Sequence, residues 1–86
     1  STNSGQGSDA TITGISTEGG DLVVDVIGRD KTGGSPGSDQ TEQWAAVAES
    51  GKQAKGSTKD ASGSVNMSWS FNGGKFTHVA FNINSV

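Results

Sequence analysis

The sequence predicts a small all-β protein folded as an antiparallel β-sandwich. Three observations predict this class. Residues 65–71 and 78–84 alternate apolar and polar side chains, the period of a strand that buries one face. Residues 21–28, DLVVDVIG, form a second, strongly β-branched run. Glycine makes up 14 of the 86 residues, and turn clusters of Gly, Asn and Asp separate the runs.

Taken in order, residues 1–9 carry no apolar side chain beyond glycine and read as a flexible tail or linker. Residues 10–86 then form a single domain. Residues 10–16 are a short strand and 17–20 a turn. In the strand over 21–28, Leu22, Val24 and Val26 share one face and Val23, Asp25 and Ile27 the other. Apolar residues on both faces suit a central strand. Residues 29–40 are a long polar loop holding the single Pro, either a disordered connector or a binding element.

Residues 41–50 support two readings. Asp39 as N-cap, Glu42 three residues on, several alanines and Gly51 as a stop describe a short helix. As a strand, Trp44, Ala46 and Ala48 would face inward. The β context favours the strand. Residues 51–63 hold Lys52, Lys55 and Lys59 with little that is apolar, and read as a solvated loop or a lysine-protected edge strand, with a patch for an anionic partner as the sharper alternative.

The strongest local expectation is a β-hairpin over residues 64–84. A three-residue loop, 72–74, pairs Met67 with Val79 and Val65 with Phe81, which puts the large apolar residues on one face. His78 then points outward. Trp44 and Trp69 are both expected in the core.

This order, with a Trp on the third element and FTHVAFNINSV near the end, resembles immunoglobulin-like and fibronectin type III sandwiches in architecture. The chain lacks the cysteine pair and the tyrosine corner, having no Cys and no Tyr, and a final strand is missing.

Composition narrows the chemistry. Without Cys there is no disulfide framework, thiolate metal site or cysteine nucleophile. A net charge of −3 disfavours a nucleic-acid partner. No run reaches the ~20 apolar residues of a membrane span, so no membrane insertion is expected. The start at Ser1 suggests a processed or trimmed chain. The single His, His78, is expected opposite Ser68 on a flat face, with no third group to orient it, so no enzyme is expected. Asp21 and Asp25 are about 13 Å apart along one strand, too far for a glycosidase pair. No cofactor is expected; calcium is the one candidate, if Asp9, Glu18, Asp21, Asp30 and Asp39 meet at loop ends.

The outward face of the expected hairpin is the candidate ligand site: Asn66, Ser68, Ser70, His78 and Asn82, with Phe76 at the edge and Asn84 beyond. Amides beside an aromatic plate suit a sugar ring. The function expected is an extracellular or cell-surface module recognising a glycan or protein partner through this face and the 29–40 loop. One alternative is an assembly module pairing through an open sheet edge. Another is a small secreted toxin, antimicrobial protein or inhibitor.

Overall fold

The computed structural model describes residues 2–48, 50–60 and 63–83. Among these residues the chain forms eight strands: β1 (Thr2–Gln6), β2 (Asp9–Ser16), β3 (Leu22–Arg29), β4 (Ser35–Pro36), β5 (Thr41–Val47), β6 (Gln53–Asp60), β7 (Ser64–Ser70) and β8 (Lys75–Ile83). They make two antiparallel sheets, ordered β1-β8-β3-β6-β5 and β2-β7-β4. The all-β class with two antiparallel sheets is therefore as the sequence predicts.

The strand order is a different matter. The pairings of β1 with β8, β2 with β7 and β3 with β6 nest inside one another. That is the wrap of a jelly roll. The immunoglobulin-like order places successive strands side by side in a sheet. Here, among the described residues, only β5 and β6 are paired neighbours in sequence. Pairing β5 with β6 rather than β4 is also the departure from a full jelly roll.

The three-stranded sheet supplies an apolar wall. β7 turns Val65, Met67 and Trp69 inward, and β2 adds Ala10, Ile12 and Ile15. Ile12 and Ile15 are three apart, so strict alternation would split them between faces. A bulge prevents this: Thr13 and Gly14 together oppose Asn66. Gly14 takes a φ of 69°, and its N–H donates to Asn66 Oδ1 at 3.0 Å. Facing this wall, the five-stranded sheet presents Val23, Asp25, Ile27 and Arg29 from β3, and Phe76, His78 and Ala80 from β8. β3 is central in its sheet, as its two apolar faces predict.

The expected hairpin over 64–84 does not form. β7 and β8 lie in different sheets, joined by an arch through residues 71–74. Gly73 and Gly74 have φ of 85° and 95°, so the turn chemistry is right and the destination is not. Arg29 supplies the reason. Its guanidinium packs 4.0 Å over the Phe71 ring, and its Nη atoms donate to Gly33 O at 2.8 Å and Gly73 O at 2.7 Å. The arch closes over this buried cation. Burial lowers the Arg29 pKa from its ordinary value, with Asp30 acting the other way.

A one-residue change of frame follows in β8. Phe76, His78 and Ala80 face the core, while Val79, Phe81 and Ile83 are exposed. The period of two is correct and every face is reversed.

Four further expectations are corrected. Thr2–Gln6, expected within a tail, pairs with β8, which needs only backbone groups. Residues 29–40 are not structureless; Ser35–Pro36 pairs with β7. Residues 41–47 form the strand that the β context favours, but Trp44, expected inside, faces out, 45% exposed. The lysine-bearing segment is an interior strand, β6, held between β3 and β5.

This placement separates β7 from β8 energetically. Met67→Ala removes a fully buried side chain and should cost about 2–5 kcal/mol in urea unfolding. Phe81→Ala, on the exposed side, should cost roughly 1 kcal/mol or less. Comparable large losses at both positions would restore the hairpin register.

Candidate functional site

The buried polar residues converge on Asp25. Its Oδ1 accepts from the Ser57 N–H at 3.2 Å and from the Ser57 hydroxyl. Its Oδ2 accepts from Trp69 Nε1 at 2.8 Å and from His78 Nε2 at 2.7 Å. Asp25, Ser57, Trp69 and His78 are each no more than 1% exposed. Indole and backbone N–H groups only donate, so the carboxylate is the acceptor throughout. His78 therefore carries its proton on Nε2. Its Nδ1 is buried without a hydrogen-bond partner among the described residues.

Ser, His and Asp side chains thus meet, but with the wrong member in the middle. A nucleophilic serine hands its proton to histidine, and the carboxylate orients the ring from the far side. Here both Ser57 and His78 donate to Asp25, and nothing in the cluster faces solvent. The cluster holds the sheets together. Gln40 extends it outward: its Nε2 donates to Ser57 Oγ at 2.9 Å, and its Oε1 accepts from the Ser68 N–H at 2.7 Å. One side chain from the 29–40 loop bridges β6 and β7 across the layers.

The residues expected to form one ligand face are divided. Asn66 and Ser70 are exposed on the three-stranded sheet, and Ser68 is half-buried under Gln40 and Gly37. Phe76 is buried edge-on to Phe71, with ring centroids 5.6 Å apart. His78 is inside on Asp25, and Asn82 is half-buried, donating to Asp21 Oδ2 at 3.0 Å. Asn84 lies outside the described residues. The frame change in β8 is the cause. The carboxylates considered for calcium are also spread out: Asp9 pairs with Ser70, Asp21 caps the turn at Glu18, and Asp30 accepts from Lys75 N. No cluster of three potential metal ligands occurs among the described residues.

What the structure does present is the outer face of the five-stranded sheet. Directly opposed residues share a face, so the registers give its rows. Val79, Val26, Gly56 and Trp44 make one row; Phe81, Val24 and Thr58 make the next; Ile83, Leu22 and Asp60 the last. Trp44, Val79, Phe81 and Ile83 are 37–50% exposed. The Trp44 indole lies over Gly56, in the space a side chain there would fill. Only glycine lets the ring lie down on the sheet.

The row on the other side of Trp44 is made of small residues: Thr77, Gly28, Ala54 and Ala46. They form the floor of two shallow depressions of about 240 and 470 Å³ that adjoin at Gly28, Arg29 and Lys52. Together these make a trough running across the strands. The row of Val79, Val26 and Trp44 runs alongside this floor without lining either depression, and Lys75 and Lys52 line the other side. Sequence reasoning missed this face because it placed Trp44 and Val79 in the core. The available signal was Gly56 in a strand otherwise rich in longer side chains.

Comparison with protein-family models, curated protein sequences and solved structures finds no match to this chain.

The two tryptophans should report on opposite environments. Trp44→Phe should leave blue-shifted emission from Trp69 that acrylamide quenches poorly, and Trp69→Phe should leave a readily quenched signal from Trp44. Equal quenching of both would contradict this placement. Removing the hub by Asp25→Ala should cost about 3–5 kcal/mol in urea unfolding, since four donors lose their buried acceptor.

Proposed function

We propose that this protein is a non-enzymatic, extracellular or cell-surface binding module that holds an extended glycan chain on the outer face of its five-stranded sheet. The observation that carries the proposal is Trp44, laid over Gly56 with its indole partly open to solvent, beside a trough that crosses the strands. A sugar ring has an apolar face of C–H groups and an equatorial rim of hydroxyls. An aromatic ring takes the first, and the flanking Gln43, Thr58 and Thr77 offer partners for the second. A shallow trough that crosses several strands suits a segment of a polymer rather than a small molecule enclosed on all sides. The floor of small residues lets the chain approach the backbone. Jelly rolls include lectin domains and capsid domains alike, so the topology is compatible with this reading and does not select it.

The 29–40 loop, expected to share in binding, has a different part in this proposal. Its Gln40 and its short strand fix the sandwich that keeps the outer sheet rigid. Rigidity matters because a preformed face loses little entropy on binding.

A second reading rests on a separate observation. Val79, Phe81 and Ile83 form an aliphatic and aromatic strip beside Val26, Val24 and Leu22. Exposed apolar patches of this kind mark protein contacts, and two copies could pack strip to strip. The face then serves assembly.

Affinity electrophoresis against a panel of neutral and acidic polysaccharides tests the first reading. The wild-type chain should be retarded by at least one gel, and Trp44→Ala should weaken that retardation about tenfold. Mobility unchanged by every polysaccharide would remove the glycan reading. Sedimentation across a concentration series tests the second: Phe81→Asp should abolish any self-association, and a monomer at all concentrations would eliminate assembly through the strip.

A further inference from the structure

The rim of the trough differs in charge from the apolar row beside it. Lys75 and Lys52 each follow the last registered row by one position, the row of Phe76, Arg29 and Gln53. They therefore flank Asp30 at the end of the sheet, two strand spacings or roughly 10 Å apart in backbone terms. Both line the depressions: Lys52 lines the two of them, and Lys75 the smaller. Among the described residues neither ammonium pairs with a carboxylate. Arg29 and Asp30 are two of the other charged groups nearby, and Asp30 lines the smaller depression between the lysines. Arg29 spends its Nη donors on the carbonyls of Thr32, Gly33 and Gly73. Asp30 turns Oδ1 toward the Lys75 N–H at 2.9 Å, which draws one of its oxygens back to the turn.

The charges are also unevenly distributed over the molecule. Among the described residues, Arg29, Lys31, Lys52 and Lys75 lie with Asp30 at this end of the sheet, while Glu18, Asp21 and Asp60 lie with Lys59 at the opposite end of the strands. A chain of net charge −3 thus concentrates positive charge beside its trough. Such local asymmetry raises the concentration of an oppositely charged ligand where it binds.

Resting on the glycan reading, we infer that the trough takes an anionic glycan whose carboxylate groups are met by Lys52 and Lys75 while a ring of the same chain lies on Trp44. The geometry asks for both parts. A neutral glycan would leave the lysine rim unused. A flexible acidic peptide would satisfy the lysines and has no recurrent ring for the indole. A polymer of uronic acid residues carries an apolar ring face and a carboxylate on each unit, and so matches the Trp44 indole and the lysine rim together. Lysine ammonium groups read such charge as point contacts, which makes the binding sensitive to salt.

Isothermal titration calorimetry with oligogalacturonate, its methyl ester, a sulfated chondroitin oligosaccharide and poly-glutamate tests this. Oligogalacturonate should bind, and the methyl ester, which keeps the rings and loses the charge, should bind more weakly by about tenfold. The Lys52→Gln/Lys75→Gln double variant should lose a similar factor for the acid and almost nothing for the ester. Raising the salt should weaken the acid alone. Trp44→Ala should weaken both. Tighter binding of the sulfated oligosaccharide would assign the anion as sulfate and overturn the carboxylate assignment. Equal binding of acid and ester, unaffected by the lysine variant, would overturn the anionic inference and leave the glycan reading standing. Poly-glutamate binding as tightly as oligogalacturonate, with no effect of Trp44→Ala, would overturn both. Failure of every glycan to bind would do the same.

Discussion

Asp25 is the constraint from which the rest of the arrangement follows. Its carboxylate is fully buried on β3 and takes hydrogen bonds from β6, β7 and β8. An unpaired carboxylate in this position would cost several kcal/mol, and four donors on two oxygens remove that penalty. Once Asp25 is inside, the parity of β3 is set. Val23, Ile27 and Arg29 go in with it, and Leu22, Val24 and Val26 go out. The same bond fixes β8. His78 must face Asp25, so Ala80 and Phe76 join it and Val79, Phe81 and Ile83 turn outward. The apolar outer face is thus a consequence of one buried charge, reached through strand alternation alone.

The charge also ties the layers. Trp69 belongs to the three-stranded sheet and Asp25 to the five-stranded one, so the indole bond crosses the interior. Gln40 makes a second crossing nearer the surface, between Ser57 and Ser68. Ser57 links the two, since its hydroxyl accepts from Gln40 and donates to Asp25. A loop that looks dispensable by composition therefore ends in a side chain that completes the core network. Arg29 plays a comparable part at the far end of β3, where its guanidinium gathers carbonyls from the 29–40 loop and from the arch.

Much of the sandwich is legible in the sequence, and the reasons for the remainder are specific. Alternation identified β7 and β3, and β2 emerged despite its bulge. What alternation cannot supply is the partner of a strand. Residues 72–74 have the composition of a hairpin turn, and a hairpin and an arch draw on the same glycines. Sorting side chains by hydrophobicity then chose the wrong face for β8, because Val79, Phe81 and Ile83 outweigh a face of Phe76, His78 and Ala80. The deciding partners, Asp25 and Ser57, lie more than twenty residues away in sequence. Thr2–Gln6 was hidden for another reason: its pairing with β8 is made by the backbone and leaves no apolar signature. The candidate site was less legible than the fold, since it depends on the rows created by β3, β6 and β8 lying side by side.

An outer face with this much apolar surface raises the question of how the isolated domain tolerates it. Part of the answer is lateral. Leu22 opposes Ile83, Val24 opposes Phe81 and Val26 opposes Val79, so each side chain covers its neighbour across the strand gap. The strip is only two strands wide. Thr2 borders it on β1, and Thr58 and Gly56 border it on β6. The edge strand β1 is short and polar, which limits sheet extension past it. Trp44 stands apart, on the far side of Gly56, where no aliphatic column shields it and where its ring is held down by the glycine. The face is therefore graded rather than uniform: a self-covering strip over β3 and β8, and an aromatic ring beside a cation-rimmed trough over β6 and β5. A partner seeking only apolar contact would be drawn to the strip. One that needs a ring to lie on and a positive charge beside it would find both only along the trough, and that is why the ring and the lysines, rather than the larger aliphatic area, carry the functional argument.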